Sequence, residues 1–513
     1  MLGRTCASEK NFLKIKEKLN CRKSIKREEQ KRIHQVRKYS SLRKIGSKRV
    51  WNQRWSYGGF GKARKLFGGK MDKYINKSIK INREITYQRI INLCISEKNY
   101  CLYENRNEIS LGTGKYLELC IKGNLIKIIS DAGIKEEIEI NDFCTDLETA
   151  LDTIDLQNWR LYGIANFSLA RYRYGLDSGK ENETLLHLFI PKREYRFNGN
   201  EVILKAFTDE EITEMEKKLQ EAVTLEQELP HNEKNVFLSS EAVVDYDEKY
   251  YKQIVRMGVD EITRGDYQKV ILSRKIPVDN KLDMKKTFIA GRKANTPARA
   301  YMCRMGDLEV VGFSPETVAE VDKDGTVYTF PLAGTRALTE NPEENRRLRE
   351  ELLHDTKEIA EHAVSVKLAE EELQQICEKD SVVVTEFMSV MERGTVQHLG
   401  SRLRGKLKQE FNSWHALCKL FPAVTASGIP KKEAIDAIGR IEKDSRELYS
   451  GSVLIADKDG YLDAALVLRS IFQDENSTWI RVGAGIVEMS NPEREFIETQ
   501  EKVRSVASSL VTI

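Results

Sequence analysis

The chain has 513 residues, of which 40% are hydrophobic and 32% are charged, and its formal net charge is +4. It is long enough to bury a sizeable core, and this composition is ordinary for a soluble protein. No apolar run reaches the ~18 residues that cross a bilayer, and the N-terminus lacks a secretory apolar core, so we expect a cytoplasmic protein without membrane contact.

Positive charge is concentrated in residues 1–70, which contain 22 Lys and Arg against 4 Asp and Glu, or +18. The remaining residues 71–513 therefore carry 4 − 18 = −14. The basic segment lacks apolar periodicity, so we expect it to be disordered. Three interpretations remain open: a nucleic-acid-binding tail, an organellar transit segment, or sequence read ahead of a start at Met71.

Residues 71–240 contain short predicted strands and turns and no catalytic constellation, so we predict that this part of the chain is scaffold. The Asn198-Gly199 pair between two apolar runs is a strong hairpin signal. A helix is predicted to begin at Thr208, whose hydroxyl caps it while Glu211 completes a capping box.

The candidate chemistry lies in residues 241–513. A predicted helix over 246–264 is followed by a strand over 267–274 that has Lys269 near its start. Two further strands flank the turn that carries Glu316. Taken singly, the lysine is more often a strand-edge residue and the glutamate more often an ordinary turn carboxylate than a functional group.

A strand over 326–330 leads into a predicted tight turn at Gly334, where the backbone can approach a bound group. A long helix follows, because apolar residues recur at three-, four- and seven-residue steps over 348–376. Glu358 and Glu361 lie one turn apart on this helix and project together. From this pair alone, a solvated helix face remains the alternative to a functional pair.

Strands are predicted over 449–455, 461–472 and 479–487, and their connections are too short for parallel crossovers, so this sheet is antiparallel. A last helix begins at Asn491, with Pro492 as its first residue.

On this last helix Glu495, Glu498 and Lys502 share one face, because they are three and seven residues apart. Two helices that are distant in sequence therefore each offer a pair of glutamates. Both helices follow strands of the same antiparallel half.

The sequence contains nine cysteines. They form no CxxC pair and no metal-ligand spacing. We therefore expect reduced thiols, most of them buried as small hydrophobic side chains.

Six motifs of the second half together resemble the chorismate-utilising enzymes. They are Gly312-Phe313-Ser314-Pro315-Glu316, Pro331 to Arg336, Asp355-x-x-Glu358-x-x-Glu361-His362, Tyr449-Ser450-Gly451, Gly483-Ala484-Gly485-Ile486-Val487 and Pro492-x-x-Glu495-x-x-Glu498-x-x-x-Lys502. Within that family the sequence is most similar to the salicylate synthases of siderophore assembly. The resemblance spans residues 247–510 and implies a single large α+β domain, with two antiparallel β-sheets surrounded by helices.

The resemblance implies a reaction in which water adds to one ring carbon of chorismate while hydroxide leaves another, which gives isochorismate. It makes Glu316 the acid that protonates the leaving hydroxide and Lys269 the base that activates water. A lysine serves as a base only where burial or a nearby cation lowers its pKa. His398 is a third catalytic candidate, with a structural histidine as the alternative.

A magnesium ion is also implied by the resemblance, and Mg²⁺ prefers oxygen ligands. Glu361 and Glu498 are its expected direct ligands, while Glu358 and Glu495 reach the ion directly or through water. Four carboxylates this close would repel strongly without a cation.

The family pattern also implies contacts to the substrate. Arg469 and Lys502 are expected to hold a substrate carboxylate, the arginine as a planar fork and the lysine as a point charge. The other expected substrate contacts are the backbone of Gly334, Thr335, Gly483, Ala484 and Gly485 and the hydroxyl groups of Tyr449 and Thr425.

Two positions separate family members by their nucleophile. Anthranilate synthases have Gln where this chain has Lys269 and use ammonia from a glutaminase, and aminodeoxychorismate synthases have Lys where this chain has Ala333. The present combination points to water, so we expect no glutaminase subunit and a monomer that acts on chorismate.

The favoured products are salicylate and pyruvate, formed through isochorismate. One alternative is an isochorismate synthase that releases its intermediate. A second alternative, of a different class, is a binding protein with an inactive enzyme scaffold and a nucleic-acid-binding basic tail. The intact set of candidate acids and base argues against it.

Overall fold

The computed structural model describes residues 73–82, 85–94, 97–176, 183–224, 241–394 and 396–513. The basic segment 1–70 and the interpretations offered for it lie outside these ranges. None of the helices in the described ranges is long and apolar enough to cross a membrane.

The described residues form 21 strands and twelve α-helices. The strands are β1 Ile75–Lys80, β2 Tyr100–Glu104, β3 Ile109–Lys122, β4 Leu125–Ser130, β5 Gly133–Glu139, β6 Arg160–Ala165, β7 Thr184–Asn198, β8 Glu201–Ala206, β9 Lys269–Val278, β10 Arg299–Met305, β11 Leu308–Ser314, β12 Thr317–Val321, β13 Thr326–Thr329, β14 Leu332–Ala337, β15 Val383–Arg393, β16 Val396–Lys406, β17 Gly428–Ile429, β18 Ser452–Asp457, β19 Leu462–Leu466, β20 Ser470–Gln473 and β21 Thr478–Ile486. The helices are α1 Tyr87–Asn92, α2 Phe143–Asp152, α3 Ser168–Arg173, α4 Asp209–Thr224, α5 Glu241–Val244, α6 Glu248–Arg264, α7 Met284–Ala294, α8 Pro342–His354, α9 Thr356–Ile376, α10 Ser413–Leu420, α11 Lys431–Ile441 and α12 Pro492–Ala507.

The strands pair antiparallel throughout and belong to one hydrogen-bonded network. The long strand β7 joins its two arms, because it pairs with β3, β6 and β8. From β3, one arm continues through β2, β10, β11, β20, β21 and β9; from β6, the other continues through β18, β19, β12, β13 and β16. The predicted α+β class with antiparallel sheets is confirmed, and the two expected sheets are connected because one strand serves both.

Helices pack their apolar faces on both arms. Phe288 of α7 and Val506 of α12 belong to the same buried cluster as Phe313 of β11. Leu373 of α9 lies in another cluster, with Val327 of β13. Burying each such side chain stabilises the fold by roughly 1.5–3 kcal/mol.

The predicted long helix is wrong as a single element. It is broken at Asp355, which ends α8 and caps α9, because its carboxylate accepts hydrogen bonds from the amides of Lys357 and Glu358. Apolar periodicity continues across the break, so the pattern alone could not show it. The break places Glu358 in the first turn of α9.

The predicted strand over 461–472 is likewise divided, into β19 and β20. Arg469 lies in the gap with a left-handed backbone, at a φ of 51°. Non-glycine residues seldom adopt this conformation, and no sequence signal marked it.

The expectation that the cysteines are all reduced is wrong for one pair. Cys101 of β2 and Cys303 of β10 form a disulfide. The two residues lie directly opposite each other in the antiparallel register but are 202 residues apart in sequence. Their pairing therefore depends on the sheet topology, which spacing rules do not reveal.

A buried ionic cluster lies where β6, β7 and β8 meet. The carboxylate of Glu194 accepts hydrogen bonds from Tyr162 at 2.7 Å and Arg196 at 2.8 Å. Lys205 lies 3.1 Å away and Arg160 lies 3.8 Å away. Burial raises the pKa of Glu194, but these cations outweigh it and hold the pKa below its usual range.

We predict that Glu194→Ala lowers the free energy of unfolding by about 3–5 kcal/mol, because two buried cations and one partly buried cation lose their shared carboxylate. Urea unfolding measures this change. The matched control is Glu139→Ala, on an exposed position of β5, and it should change stability by less than about 0.5 kcal/mol. Equal effects of the two substitutions would contradict the prediction.

Candidate active site

One cavity opens between the two arms of the sheet. It is lined by β9 and β21 from the first arm, by β14 and β16 from the second, and by α9 and α12. Of the sixteen predicted site residues, all but Glu495 line this cavity. They are Lys269, Glu316, Gly334, Thr335, Glu358, Glu361, His398, Thr425, Tyr449, Arg469, Gly483, Ala484, Gly485, Glu498 and Lys502.

Lys269 begins β9 and is 3% exposed. Its ammonium group lies 2.8 Å from a carboxylate oxygen of Glu361 and donates a hydrogen bond to the hydroxyl of Ser365 at 3.3 Å. Lys269 therefore lies near the start of a strand, as predicted, and its amine is buried in the cavity wall. Its immediate neighbours come from α9.

Glu316 lies in the short turn between β11 and β12 and is 2% exposed. One carboxylate oxygen accepts the amide hydrogen of Leu332 at 2.8 Å, and the other accepts the hydroxyl hydrogen of Thr425. Burial raises the pKa of Glu316 to about 7, although these two hydrogen bonds oppose the increase. This carboxyl group can therefore hold a proton near neutral pH.

Each of the four predicted metal-binding glutamates has its own cation. The pairs are Glu361 with Lys269 at 2.8 Å, Glu498 with Lys502 at 2.7 Å, Glu495 with Lys357 at 3.1 Å and Glu358 with Arg336 at 3.4 Å. Burial and the neighbouring Glu361 and Glu498 raise the pKa of Glu358. Burial and Glu498 raise the pKa of Glu495 to about 7.

Within the described ranges, no three Asp, Glu, His or Cys side chains are grouped as a ready-made metal site. The donor set nevertheless suits a hard cation, because it consists of carboxylate oxygens, and the charge of Glu498 raises the pKa of both Glu358 and Glu495. One oxygen of Glu495 is also buried without a hydrogen-bond partner. The residues therefore fit Mg²⁺, provided that the carboxylates turn away from their lysine and arginine partners.

Two of the predicted substrate-contacting glycines leave room for glutamate side chains. A Cβ at Gly485 would lie 2.7 Å from a carboxylate oxygen of Glu361, and a Cβ at Gly334 would lie 3.2 Å from one of Glu358. Gly334 does not form the expected tight turn. It has a φ of 87° and lies at a β-bulge where β14 pairs with β16.

Two backbone amides expected to reach a ligand are already bonded within the protein. The Thr335 amide donates to Glu358 at 3.2 Å, and the Ala484 amide donates to the hydroxyl of Tyr251 at 3.1 Å. The carbonyl of Gly483 accepts a hydrogen bond from Lys502 at 3.0 Å. Both amides are therefore hydrogen-bonded within the protein, and the substrate contacts expected of this backbone stay a prediction.

Arg469 is a buried guanidinium that faces the cavity without an acid partner. It donates to the carbonyl of Arg393 at 3.0 Å and to a ring nitrogen of His398 at 2.7 Å. In the described part of the chain, no carboxylate lies within ion-pair distance of it. Burial, followed by the charge of Arg393, lowers its pKa to about 10. Such a group favours an anionic ligand.

A buried network of ion pairs and hydrogen bonds lies behind the cavity and was not predicted from sequence. Glu442 pairs with Arg446 at 2.7 Å. The same guanidinium donates to the carbonyls of Ala426 at 2.7 Å and Ile271 at 2.6 Å. It thereby joins strand β9 to the loop that contains Thr425. The four-residue spacing of the ion pair predicts only a local contact, so this role was not visible from sequence.

Residues 99–508 match the family described as chorismate binding enzyme. This chain belongs to the chorismate-binding enzymes. The cavity lies inside the matched region, since its lining residues all fall between Lys269 and Val506.

Relatives and solved structures support this assignment. The chain is 39% identical over 417 residues to a salicylate synthase of Mycolicibacterium paratuberculosis, which covers 81% of this chain and 90% of that protein. An anthranilate synthase component 1 of Haloarcula marismortui is 36% identical over 51% of this chain and 50% of its own length.

The fold is similar to that of anthranilate synthase component I from Streptococcus pneumoniae, with a TM-score of 0.64, 24% identity and coverage of 78% of this chain and 92% of that one. It is also similar to the menaquinone-specific isochorismate synthase from Escherichia coli, with a TM-score of 0.64, 20% identity and coverage of 85% and 94%. At these identities the likeness concerns the fold.

Proposed function

We propose that this chorismate-binding enzyme is a Mg²⁺-dependent salicylate synthase that converts chorismate through isochorismate to salicylate and pyruvate, for siderophore assembly. The observation that carries the proposal is one cavity that holds a buried amine, Lys269, a carboxyl group with a raised pKa, Glu316, and an unpaired guanidinium, Arg469. These groups match the base, the acid and the anion site that the reaction requires.

In the first step, the unprotonated amine of Lys269 takes a proton from the water that attacks the ring. Glu316 gives its proton to the departing hydroxyl group, which leaves as water. One water enters and one leaves, so the product is an isomer of chorismate. Thr425 and the Leu332 amide keep the Glu316 carboxyl group in position through their hydrogen bonds.

In the second step, isochorismate loses pyruvate by a concerted rearrangement. This step needs the enolpyruvyl group to be folded over the ring, so positioning governs its rate. Arg469 and Lys502 would hold a substrate carboxylate, and the apolar side chains of Leu468, Val482 and Val503 line the same cavity.

Glu358, Glu361, Glu495 and Glu498 would hold the magnesium ion. When bound, Mg²⁺ neutralises carboxylate charge and helps to hold an anionic substrate group. The oxygen of Glu495 that has no hydrogen-bond partner among the described residues supports the assignment, as do the raised pKa values of Glu358 and Glu495.

Two further observations favour salicylate formation over anthranilate formation. Lys269 and Ala333 both line the cavity, and this pair suits water as the nucleophile. The salicylate synthase relative also matches 81% of the chain, whereas the Haloarcula anthranilate synthase matches 51%.

Incubation of the purified protein with chorismate and Mg²⁺, without glutamine or ammonia, tests the proposal. We expect equimolar salicylate and pyruvate, identified by chromatography and mass spectrometry. Removal of divalent ions by EDTA should abolish turnover, and added Mg²⁺ should restore it. Isochorismate alone would establish a synthase that releases its intermediate, and no consumption of chorismate would refute the proposal.

The pH dependence tests the role of Glu316. Because its pKa is about 7, its acid form is available below that value and is lost above it. We expect the rate of chorismate consumption by the parent protein, divided by that of Glu316→Gln, to fall about tenfold per pH unit above about pH 7, because the division removes the effect of other titrating groups, including the base. Glu316→Gln should be slow at every pH, and a ratio that does not change with pH would assign the pH dependence to another group.

Lys269→Ala separates the two steps. We expect chorismate consumption to fall by about 10²–10⁴-fold, because the water loses its base. Pyruvate release from supplied isochorismate should change by less than about threefold, since positioning governs that step. The control is Lys275→Ala, whose ammonium group lies over the ring of Trp479 and which should leave both rates unchanged. Equal loss of both steps in Lys269→Ala would contradict the assigned role.

A further inference from the structure

His398 has both ring nitrogens engaged. It belongs to β16 and is 6% exposed. Its Nδ1 lies 3.4 Å from the carbonyl oxygen of Gly334 and 3.1 Å from the hydroxyl oxygen of Thr335. Its Nε2 lies 2.7 Å from Nη2 of Arg469.

These partners define the tautomer of His398. A guanidinium group can only donate, so Nε2 must offer its lone pair to Arg469. A carbonyl group can only accept, so Nδ1 carries the hydrogen and donates it towards Gly334. The hydroxyl group of Thr335 can accept or donate and is compatible with this arrangement. The ring is therefore neutral, with its hydrogen on Nδ1.

The charged groups around His398 oppose its protonation. Arg469, Lys502 and Arg393 all act on the ring as cations, and in the described part of the chain no carboxylate lies within hydrogen-bond distance of it. Burial, then these cations, lowers the pKa of His398 well below its usual value.

The contact matters for Arg469 because its two acceptors are uncharged. The carbonyl of Arg393 accepts from Nη1 and the imidazole of His398 accepts from Nη2. A carboxylate in either place would neutralise the positive charge of Arg469. Neutral acceptors fix the orientation of the guanidinium group and leave its charge available to a ligand.

We propose that His398 is a positioning residue that acts through Arg469, as a neutral acceptor that aims the guanidinium at an anionic group of the substrate. The identity of that substrate rests on the proposed function. This role differs from proton transfer, because both ring nitrogens are used in holding the site.

Nitrogen-15 NMR of the histidine side chains tests the tautomer without any turnover. The chain has seven histidines, and comparison with His398→Gln assigns the signal. We expect a protonated Nδ1 and an unprotonated Nε2 at both about pH 6 and about pH 9. A hydrogen on Nε2, or titration within this range, would overturn the proposal even if the enzyme makes salicylate.

Steady-state kinetics with chorismate test the positioning role. His398→Leu removes the acceptor, and we expect kcat/KM to fall about 10–100-fold, mainly through a higher KM. His398→Gln offers an amide oxygen to Arg469 but cannot transfer protons near neutral pH, and it should stay within about fivefold of the parent protein. His354→Leu, on an exposed position of α8, is the control and should change neither constant.

Equal losses in the glutamine and leucine variants, expressed in kcat with unchanged KM, would indicate proton transfer and overturn the proposal. If the protein does not consume chorismate, the proposed function fails, and the NMR result on the parent protein still decides whether His398 is the neutral acceptor.

Discussion

The candidate active site depends on the repulsion among four carboxylates, three of which are buried, and on the cations that oppose it. At an effective dielectric constant of about 20, two like charges 4 Å apart repel by about 4 kcal/mol. Helices α9 and α12 begin just before their glutamates, but the end of a helix stabilises a first-turn acid by only about 0.3–1 kcal/mol. The helix ends alone therefore cannot offset the repulsion among the glutamates. The remaining stabilisation must come from the paired cations, which are Lys269, Lys357, Lys502 and Arg336.

Some of these cations have a second role besides neutralising the glutamates, because they also line the cavity. Lys269 and Lys502 neutralise glutamates, and both also line the cavity where a substrate would bind. Arg469 differs from them because only neutral groups hold it. The site therefore contains two kinds of positive charge: lysines that are already paired with acids, and an arginine whose charge is still available.

Elements with local signals were predictable from sequence. Asn491 caps α12 ahead of Pro492, α6 ends at Arg264, and Thr208 accepts a hydrogen bond from the Glu211 amide, all as predicted. The break at Asp355 was not predicted, because the apolar periodicity continues across it and indicates one helix, while the local signal for a break is a single capping residue.

Features that depend on tertiary contacts were not predictable. The family motifs identified the glutamates, but the cation partner of each one follows from how α9, α12 and β9 pack together. Arg469 was expected within a strand, and its left-handed backbone carries no sequence signal at an arginine. The disulfide partner of Cys101 is set by strand register, which lies beyond any local pattern.

The strand β7 that joins the two arms also has a consequence for how the protein folds. Contacts that close the sheet link residues very far apart, such as Cys101 with Cys303, 202 residues away, and Arg160 with Asp457, 297 residues away. Loop-closure entropy must be overcome before such contacts contribute stability, and folding slows as contacts become less local. Until both arms are paired, their strand edges stay open to wrong partners. The architecture that unites distant catalytic groups thus makes slow folding, with a risk of aggregation, an inherent property of this enzyme.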